Sequence, residues 1–292
     1  MDKVKDMAST LLIQGESGTG KDLLASLIHY SSLRSGEPFL RIDCSSIPSE
    51  LIESELFGYE RGAFTGAYAR KLGKLEFAGK GTIVLDEIAA LSIETQAKLL
   101  RVIEDRTFSR LGGNEAIAVD GRLVVLSRER LEDLVRGGTF RQDLFFRLNV
   151  IPIRLLPLRE RTDDIIPLTE HFLQTFREKY DKLLLKVDGR VLDDLEAYSF
   201  PGNVRELRNL VERLVMLANE EGITLRQLPV EVRKLKTGLK STSERPTLEQ
   251  LERQYIAETL EFTRGRKGKA ATILGISRKT LLEKRKRYGL LD

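Results

Sequence analysis

Cysteine is nearly absent: Cys44 is the only one in 292 residues. That excludes an internal disulfide and fits a reducing cytoplasm. The simplest reading of Cys44 is a small buried hydrophobe. Histidine is scarce too. His29 and His171 stand apart, with no second soft ligand at metal spacing, so neither is assigned a metal. No apolar run approaches the length of a bilayer span, and the N-terminus lacks a signal-peptide pattern. No membrane partner is expected, and no internal repeat is present.

With 41% hydrophobic and 32% charged residues, the composition is that of a globular protein with ample length for a core. The length suits two or three domains. Net charge is only +4, yet it is unevenly placed. Residues 264–292 hold ten Lys/Arg against two acids, while the remainder is slightly acidic. A basic tip suits a polyanionic partner, although by charge alone a solvated basic helix is the better reading.

The chain is organised around Gly15-Glu16-Ser17-Gly18-Thr19-Gly20-Lys21-Asp22. A short β-favouring run, Thr10 to Gln14, precedes it, and a helix-like run, Leu23 to Ile28, follows. Strand, glycine loop and helix form the context of a phosphate-binding loop. Its backbone N–H groups and the positive helix end cradle phosphate oxygens, and Lys21 reaches the outer phosphates. Asp22 stands where such loops usually carry Ser or Thr for magnesium.

Further strand-like runs lie at Phe39–Ile42, Thr82–Leu85, Arg122–Leu126 and Val150–Ile153, with helical patterns such as Ile93–Ile103 between them. The alternation predicts an α/β fold with a parallel sheet covered by helices on both faces, binding its ligand at the carboxyl ends of the strands. After Pro157 the pattern turns helical, over 163–180, 190–198 and 203–219. Residues 234–246 read as a polar linker. A helix is expected over Leu248–Phe262, then two short ones around Leu274-Gly275-Ile276-Ser277. The expected divisions are an α/β nucleotide-binding part (1–157), an all-α lid (158–233), the linker, and a C-terminal helix-turn-helix (247–292).

Leu85-Asp86-Glu87 ends an apolar strand in two acids, costly to bury unless a cation or catalysis uses them. With the glycine loop upstream, Asp86 is expected to help hold Mg²⁺, and Glu87 to orient or deprotonate a water. Arg141, Arg147 and Arg205 are candidates for charge near a γ-phosphate, though spacing alone does not make them catalytic.

Glu55 to Ala67, with its Gly62-Ala63-Phe64-Thr65-Gly66-Ala67 hexapeptide, resembles the signature of bacterial enhancer-binding proteins, the AAA+ ATPases that activate sigma-54 RNA polymerase. The glycine loop, the Leu85–Ile88 strand end, the Phe140–Asn149 stretch and Pro201-Gly202-Asn203-Val204-Arg205 match in the same order, over about 10–292. The resemblance implies ATP and Mg²⁺ as ligands and sigma-54 polymerase holoenzyme as partner. It makes Gly62–Ala67 the exposed loop touching sigma-54, with 107–116 as a second surface loop. Arg141 and Arg147 become fingers inserted into a neighbour's site, within a ring that is usually a hexamer, with a dimer as an inactive form. Arg205 becomes a sensor of nucleotide in its own subunit.

The tail, Lys269 to Leu281, resembles the Fis type of helix-turn-helix. Small Ala270 and Ala271 permit close packing, Gly275 makes the turn and Ser277 caps the second helix. Ser277, Arg278, Lys279, Thr280, Glu283 and Lys284 are expected to face double-stranded enhancer DNA.

Three positions depart from the family pattern. Asp43 replaces an asparagine that hydrogen-bonds the catalytic glutamate, and would repel Glu87 unless protonated or turned away. Ser127-Arg128 replaces a Thr-Asn sensor, and Arg128 cannot act as an acceptor for water. Arg285 replaces an apolar residue and is expected to snorkel or to loosen its helix. Asp22, by contrast, is conservative where the family has Glu.

Two rival functions follow: a DNA-binding regulator whose core senses nucleotide but hydrolyses weakly, and an AAA+ remodeller of another target. No sensory module precedes residue 10, so the expectation is a chain whose input domain was removed or whose control comes from a separate protein.

Overall fold

The computed structural model describes residues 4–7, 9–182, 185–218, 222–233, 247–263 and 265–290. The expected linker, 234–246, lies outside them, as does Asn219, the expected end of a helix. The chain divides into two compact units, 1–229 and 230–292.

The first unit is built on five parallel strands: β1 (Leu11–Gln14), β2 (Phe39–Asp43), β3 (Thr82–Asp86), β4 (Arg122–Ser127) and β5 (Ile151–Arg154). They lie in the order β2-β3-β4-β1-β5. The central strands read as continuous apolar runs because both faces are covered. Side chains of a strand alternate between faces. Ile83 and Leu85 of β3, with Leu123 and Val125 of β4, enter one core, packed with Leu56, Leu99 and Leu144. Val84, Val124 and Leu126 enter the opposite core with Ala25 and Ile28. Each buried Val, Leu or Ile among them contributes roughly 1.5–3 kcal/mol through burial.

The first core is covered by α2 (Ser49–Phe57), α3 (Ile93–Asp105) and α4 (Gln142–Leu148), the second by α1 (Lys21–Tyr30). Two short antiparallel ladders, Gly58–Tyr59 with Lys71–Leu72 and Thr107–Phe108 with Ile117–Ala118, lie outside the main sheet. Cys44 is buried, and burial pushes its thiol up to about 12, so it stays protonated and inert.

Three helices follow the sheet: α5 (Ile165–Lys179), α6 (Gly189–Ala197) and α7 (Asn203–Leu217). The run expected from residue 163 starts as α-helix only at Ile165, because Thr162–Asp164 form a tighter 3-10 turn. Buried positions recur at helical spacing, Leu207, Leu210, Val211, Leu214 and Val215 on α7 facing Ile165, Leu173 and Phe176 of α5.

The second unit holds α8 (Leu248–Phe262), α9 (Lys267–Ile273) and α10 (Arg278–Arg287). Ile256, Ala270, Ala271, Leu281 and Tyr288 form its core. Arg285 does not snorkel. It is 3% exposed, and its Nε donates to the Leu290 carbonyl at 3.1 Å. The guanidinium satisfies a carbonyl beyond the helix end, which a solvent-seeking arginine would leave open. Among the described residues, no helix is long and apolar enough to cross a membrane.

Candidate nucleotide site and flanking surfaces

The glycine loop connects β1 to α1 at the carboxyl edge of the sheet. Gly18 and Gly20 have φ of +79° and +102°, values that favour glycine. A side chain at Gly18 would also collide with the Gly202 carbonyl, because the start of α7 packs against the loop. Lys21 is buried, and its Nζ donates to the carbonyls of Gly15 (2.7 Å) and Glu16 (3.2 Å). Burial lowers its proton affinity, while Glu87, Asp86 and Asp22 act in the opposite direction. All three acids therefore lie near this lysine.

Several lid residues grip the loop. Asn203, fully buried with φ +54°, donates from Nδ2 to the Ser17 carbonyl (3.0 Å) and Glu16 Oε2 (3.2 Å), and accepts from Leu158 N (2.8 Å). The Arg205 amide donates to Gly18 O at 3.3 Å, and its guanidinium to Ser17 Oγ at 2.9 Å. Arg159 pairs with Glu16 at 2.5 Å, and Arg161 donates to Thr19 O at 3.1 Å. Arg205 was legible as a candidate. Asn203, Arg159 and Arg161 were not, since only the folded lid brings them to the loop.

Hydrogen bonds from Arg159, then Asn203, hold the Glu16 carboxyl down at about 2, against an ordinary 4.5. A lowered folded-state value means that the latch stabilises above pH 4.5 and fades as pH falls towards 2. Both side chains are more than 40% exposed, so screening keeps the pair to about 0.5–1 kcal/mol. Glu16→Gln is expected to lower urea stability by that amount at pH 7, with the difference from wild type shrinking below pH 4.5. A difference independent of pH would assign the loss to something other than charge.

Asp86 is 7% exposed, and its register partner on the neighbouring strand is Asp43. Glu87 follows in a left-handed conformation, φ +52°, with its amide donating to Asp86 Oδ1 at 3.0 Å. Asp43 is turned away from it. Its carboxylate accepts from the Ser45 hydroxyl (2.7 Å) and amide (3.0 Å), and Ser45 holds it below the usual range. Arg128 points at Glu87 instead, with Nε 3.9 Å from Oε2 and 3.4 Å from Glu129 Oε1.

Arg41 of β2 was not singled out from the sequence. Its Nε donates to Asp86 Oδ2 at 3.1 Å, its NH2 bonds the same oxygen, and Asp22 lies 3.6 Å away. A charged residue interrupting an apolar strand, two before Asp43 and so on its face, was the available signal. Two carboxylates converging on one cation are a donor set suited to Mg²⁺, a hard ion that prefers oxygen.

Arg141, just before α4, pairs with Asp143 at 2.7 Å, and Arg147 with Glu104 at 2.8 Å. Their side chains are 36% and 60% exposed. The hexapeptide is a surface hairpin closed by Gly62 N to Ala67 O at 2.9 Å. Gly62, Thr65 and Gly66 are exposed, Ala63 is intermediate and Ala67 buried. Phe64 is 45% exposed, edge-on to Tyr59 at 4.9 Å. The 107–116 segment meets its base: Leu111 N bonds Gly58 O, and Glu60 N bonds Leu111 O, both at 3.0 Å. Arg110, 4% exposed, joins Glu60 (2.7 Å), Glu76 (2.6 Å) and Glu115 (3.2 Å).

In the second unit Ser277 caps α10, accepting from the Thr280 amide at 3.0 Å, with the two hydroxyls 2.8 Å apart. Lys284 pairs with Glu252 on α8. Of the six residues expected at DNA, Arg278, Lys279 and Glu283 are exposed without a structural duty of this kind, while Ser277, Thr280 and Lys284 also hold the fold.

Residues 1–154 match the sigma-54 interaction domain family, 159–245 an AAA+ ATPase lid domain, and 247–288 the Fis family of bacterial regulatory proteins. The regulatory protein AtoC of Escherichia coli K12 is 41% identical over 304 residues, covering 99% of this chain and 66% of its own length. The transcriptional regulatory protein ZraR of the same organism is 45% identical over 276 residues, covering 94% and 63%. The crystal structure of NtrX from Brucella abortus in complex with ATP is similar at a TM-score of 0.71 and 36% identity, covering 99% of this chain and 65% of that one. The chain spans less than two-thirds of the length of these relatives.

Proposed function

The chain belongs to the family of sigma-54-dependent transcriptional activators with a Fis-type helix-turn-helix, and from that premise we propose that it is an ATP-hydrolysing ring that binds upstream enhancer DNA and remodels sigma-54 RNA polymerase. The observation that carries this reading is the convergence of Lys21, Asp86 and Glu87, from two separate strand ends, beneath a lid whose Arg205 reaches the same loop.

In this reading the loop amides and Lys21 hold the triphosphate. Bound Mg²⁺, with Asp86 and Asp22 as oxygen donors, would neutralise charge on the β- and γ-phosphoryl oxygens. Glu87 orients the attacking water and takes its proton as the bond to the β–γ bridging oxygen breaks. Arg205 senses nucleotide in its own protomer. Arg141 and Arg147, exposed and remote in sequence from the loop, serve the neighbour's site. Gly62–Ala67 offers a flexible tip with one apolar anchor, Phe64, to sigma-54. Arg278, Lys279 and Glu283 face DNA, with Ser277, Thr280 and Lys284 framing them.

ATPase rate against protein concentration is the test. Shared sites predict a steeper than linear rise, and no Mg²⁺-dependent hydrolysis at high concentration would defeat the reading. The contacts of Arg128 with Glu87 and of Arg41 with Asp86 favour one rival, a nucleotide-sensing regulator with weak turnover. Tight ATP binding and sound DNA binding with negligible hydrolysis would select it.

A further inference from the structure

We propose that Arg41 is a positioning residue that acts as a built-in cation in place of Mg²⁺, making nucleotide binding largely independent of the metal. The inference rests on the reading of the glycine loop as an ATP site. Its basis is the placement of one guanidinium. Two of its nitrogens engage a single oxygen of Asp86, while the other Asp86 oxygen accepts from the Glu87 amide. Asp86 is 7% exposed and thus has both oxygens committed. The same guanidinium lies 3.6 Å from Asp22, the residue directly after the phosphate-loop lysine. Arg41 therefore bridges the end of the acidic strand and the start of α1, the two places from which a phosphate-loop site usually holds its metal.

Two consequences follow. Without metal, Asp22, Asp86 and Glu87 would repel a triphosphate; Arg41 offsets that charge, so ATP binds with little help from Mg²⁺. With metal, Mg²⁺ and Arg41 compete for Asp86, and the guanidinium must give way. Arg41 sits on the edge strand with its side chain 44% exposed, outside the apolar core, so the guanidinium has room to withdraw towards solvent.

The test measures the dissociation constant of a ribose-labelled β,γ-imido ATP by anisotropy, once in excess Mg²⁺ and once in EDTA, for wild type, Arg41→Ala and Arg41→Lys. The ratio of the two constants is the readout; a merely structural role would move both together and leave it unchanged. In wild type the ratio is expected within about threefold of unity, and in Arg41→Ala it rises about tenfold, the size of one charge-assisted contact. Arg41→Lys, which keeps the charge, brings it back towards wild type. A wild type that binds only with Mg²⁺, or an Arg41→Ala ratio equal to that of wild type, overturns the proposal while the ATP reading stands. A wild type that binds no nucleotide in either condition overturns both.

Discussion

Two variants that are each inactive are expected to restore hydrolysis when mixed: Glu87→Gln and Arg141→Ala. Glu87→Gln removes the group proposed to take the water's proton, and should lower turnover by about 10²–10⁴ while nucleotide still binds. Arg141→Ala removes the charge proposed to cross a subunit boundary, with an expected loss of about 10³. If every site draws Glu87 from one protomer and Arg141 from the next, a mixed ring regains some complete sites. They form wherever an Arg141→Ala protomer, with its intact glutamate, receives the arginine of a Glu87→Gln neighbour. Random equimolar mixing of head-to-tail contacts gives about a quarter of the boundaries this arrangement. The rate is therefore expected to recover to about a quarter of wild type. The pairing of Arg141 with its own Asp143 makes the premise reasonable, since it holds the guanidinium at the surface. Repeating the mixture with Arg147→Ala identifies which arginine crosses. Mixtures as inactive as their components, for both arginines, would remove the shared site.

The second large effect concerns Arg110. Nearly fully buried, it donates to Glu60 and Glu76 at 2.7 and 2.6 Å and to Glu115 at 3.2 Å. Glu60 stands just before the hexapeptide hairpin, and Glu115 lies in the segment packed beneath it. Arg110→Ala would leave two partly buried carboxylates with only the half-exposed Arg70 as counter-charge, 4.0 Å from Glu60 and 3.6 Å from Glu76. Removing one partner of a buried pair costs about 3–5 kcal/mol. Glu60 and Glu76 side chains retain 33% and 21% exposure, so about 2–3 kcal/mol is expected in urea unfolding. The hairpin should also become more open to proteolysis between 60 and 67. A loss below about 1 kcal/mol would show that the network adds little beyond its surface neighbours.

How much of this could be read in advance depends on the range of the interaction. The central strands were legible because β3 and β4 carry unbroken apolar runs, Ile83–Leu85 and Leu123–Leu126, and that pattern admits few structures other than a strand covered on both faces. The glycine loop between β1 and α1, the acidic strand end and the turn at Gly275 were legible because each is a local motif. Asn203 was not: nothing in its neighbourhood announces a left-handed residue whose amide bonds a loop 186 positions away. Nothing local to Arg110 sets it apart from other arginines, and only the meeting of three separated glutamates gives it a purpose. Asp43 shows the limit differently. Its conflict with Glu87 was visible, but the resolution depended on whether Ser45 captured the carboxylate, a choice of rotamer rather than of pattern.

The backbone at Glu87 carries a wider implication. A left-handed turn at a residue with a side chain costs about 1–2 kcal/mol, which a glycine would not incur. The position is thus occupied by an amino acid ill-suited to its own conformation, next to an acid shut away from water. Replacement by glycine would favour folding and abolish the carboxylate. Selection for thermal robustness alone would therefore erode this turn, and the chemistry proposed for the carboxylate gives the less comfortable residue a reason to stay.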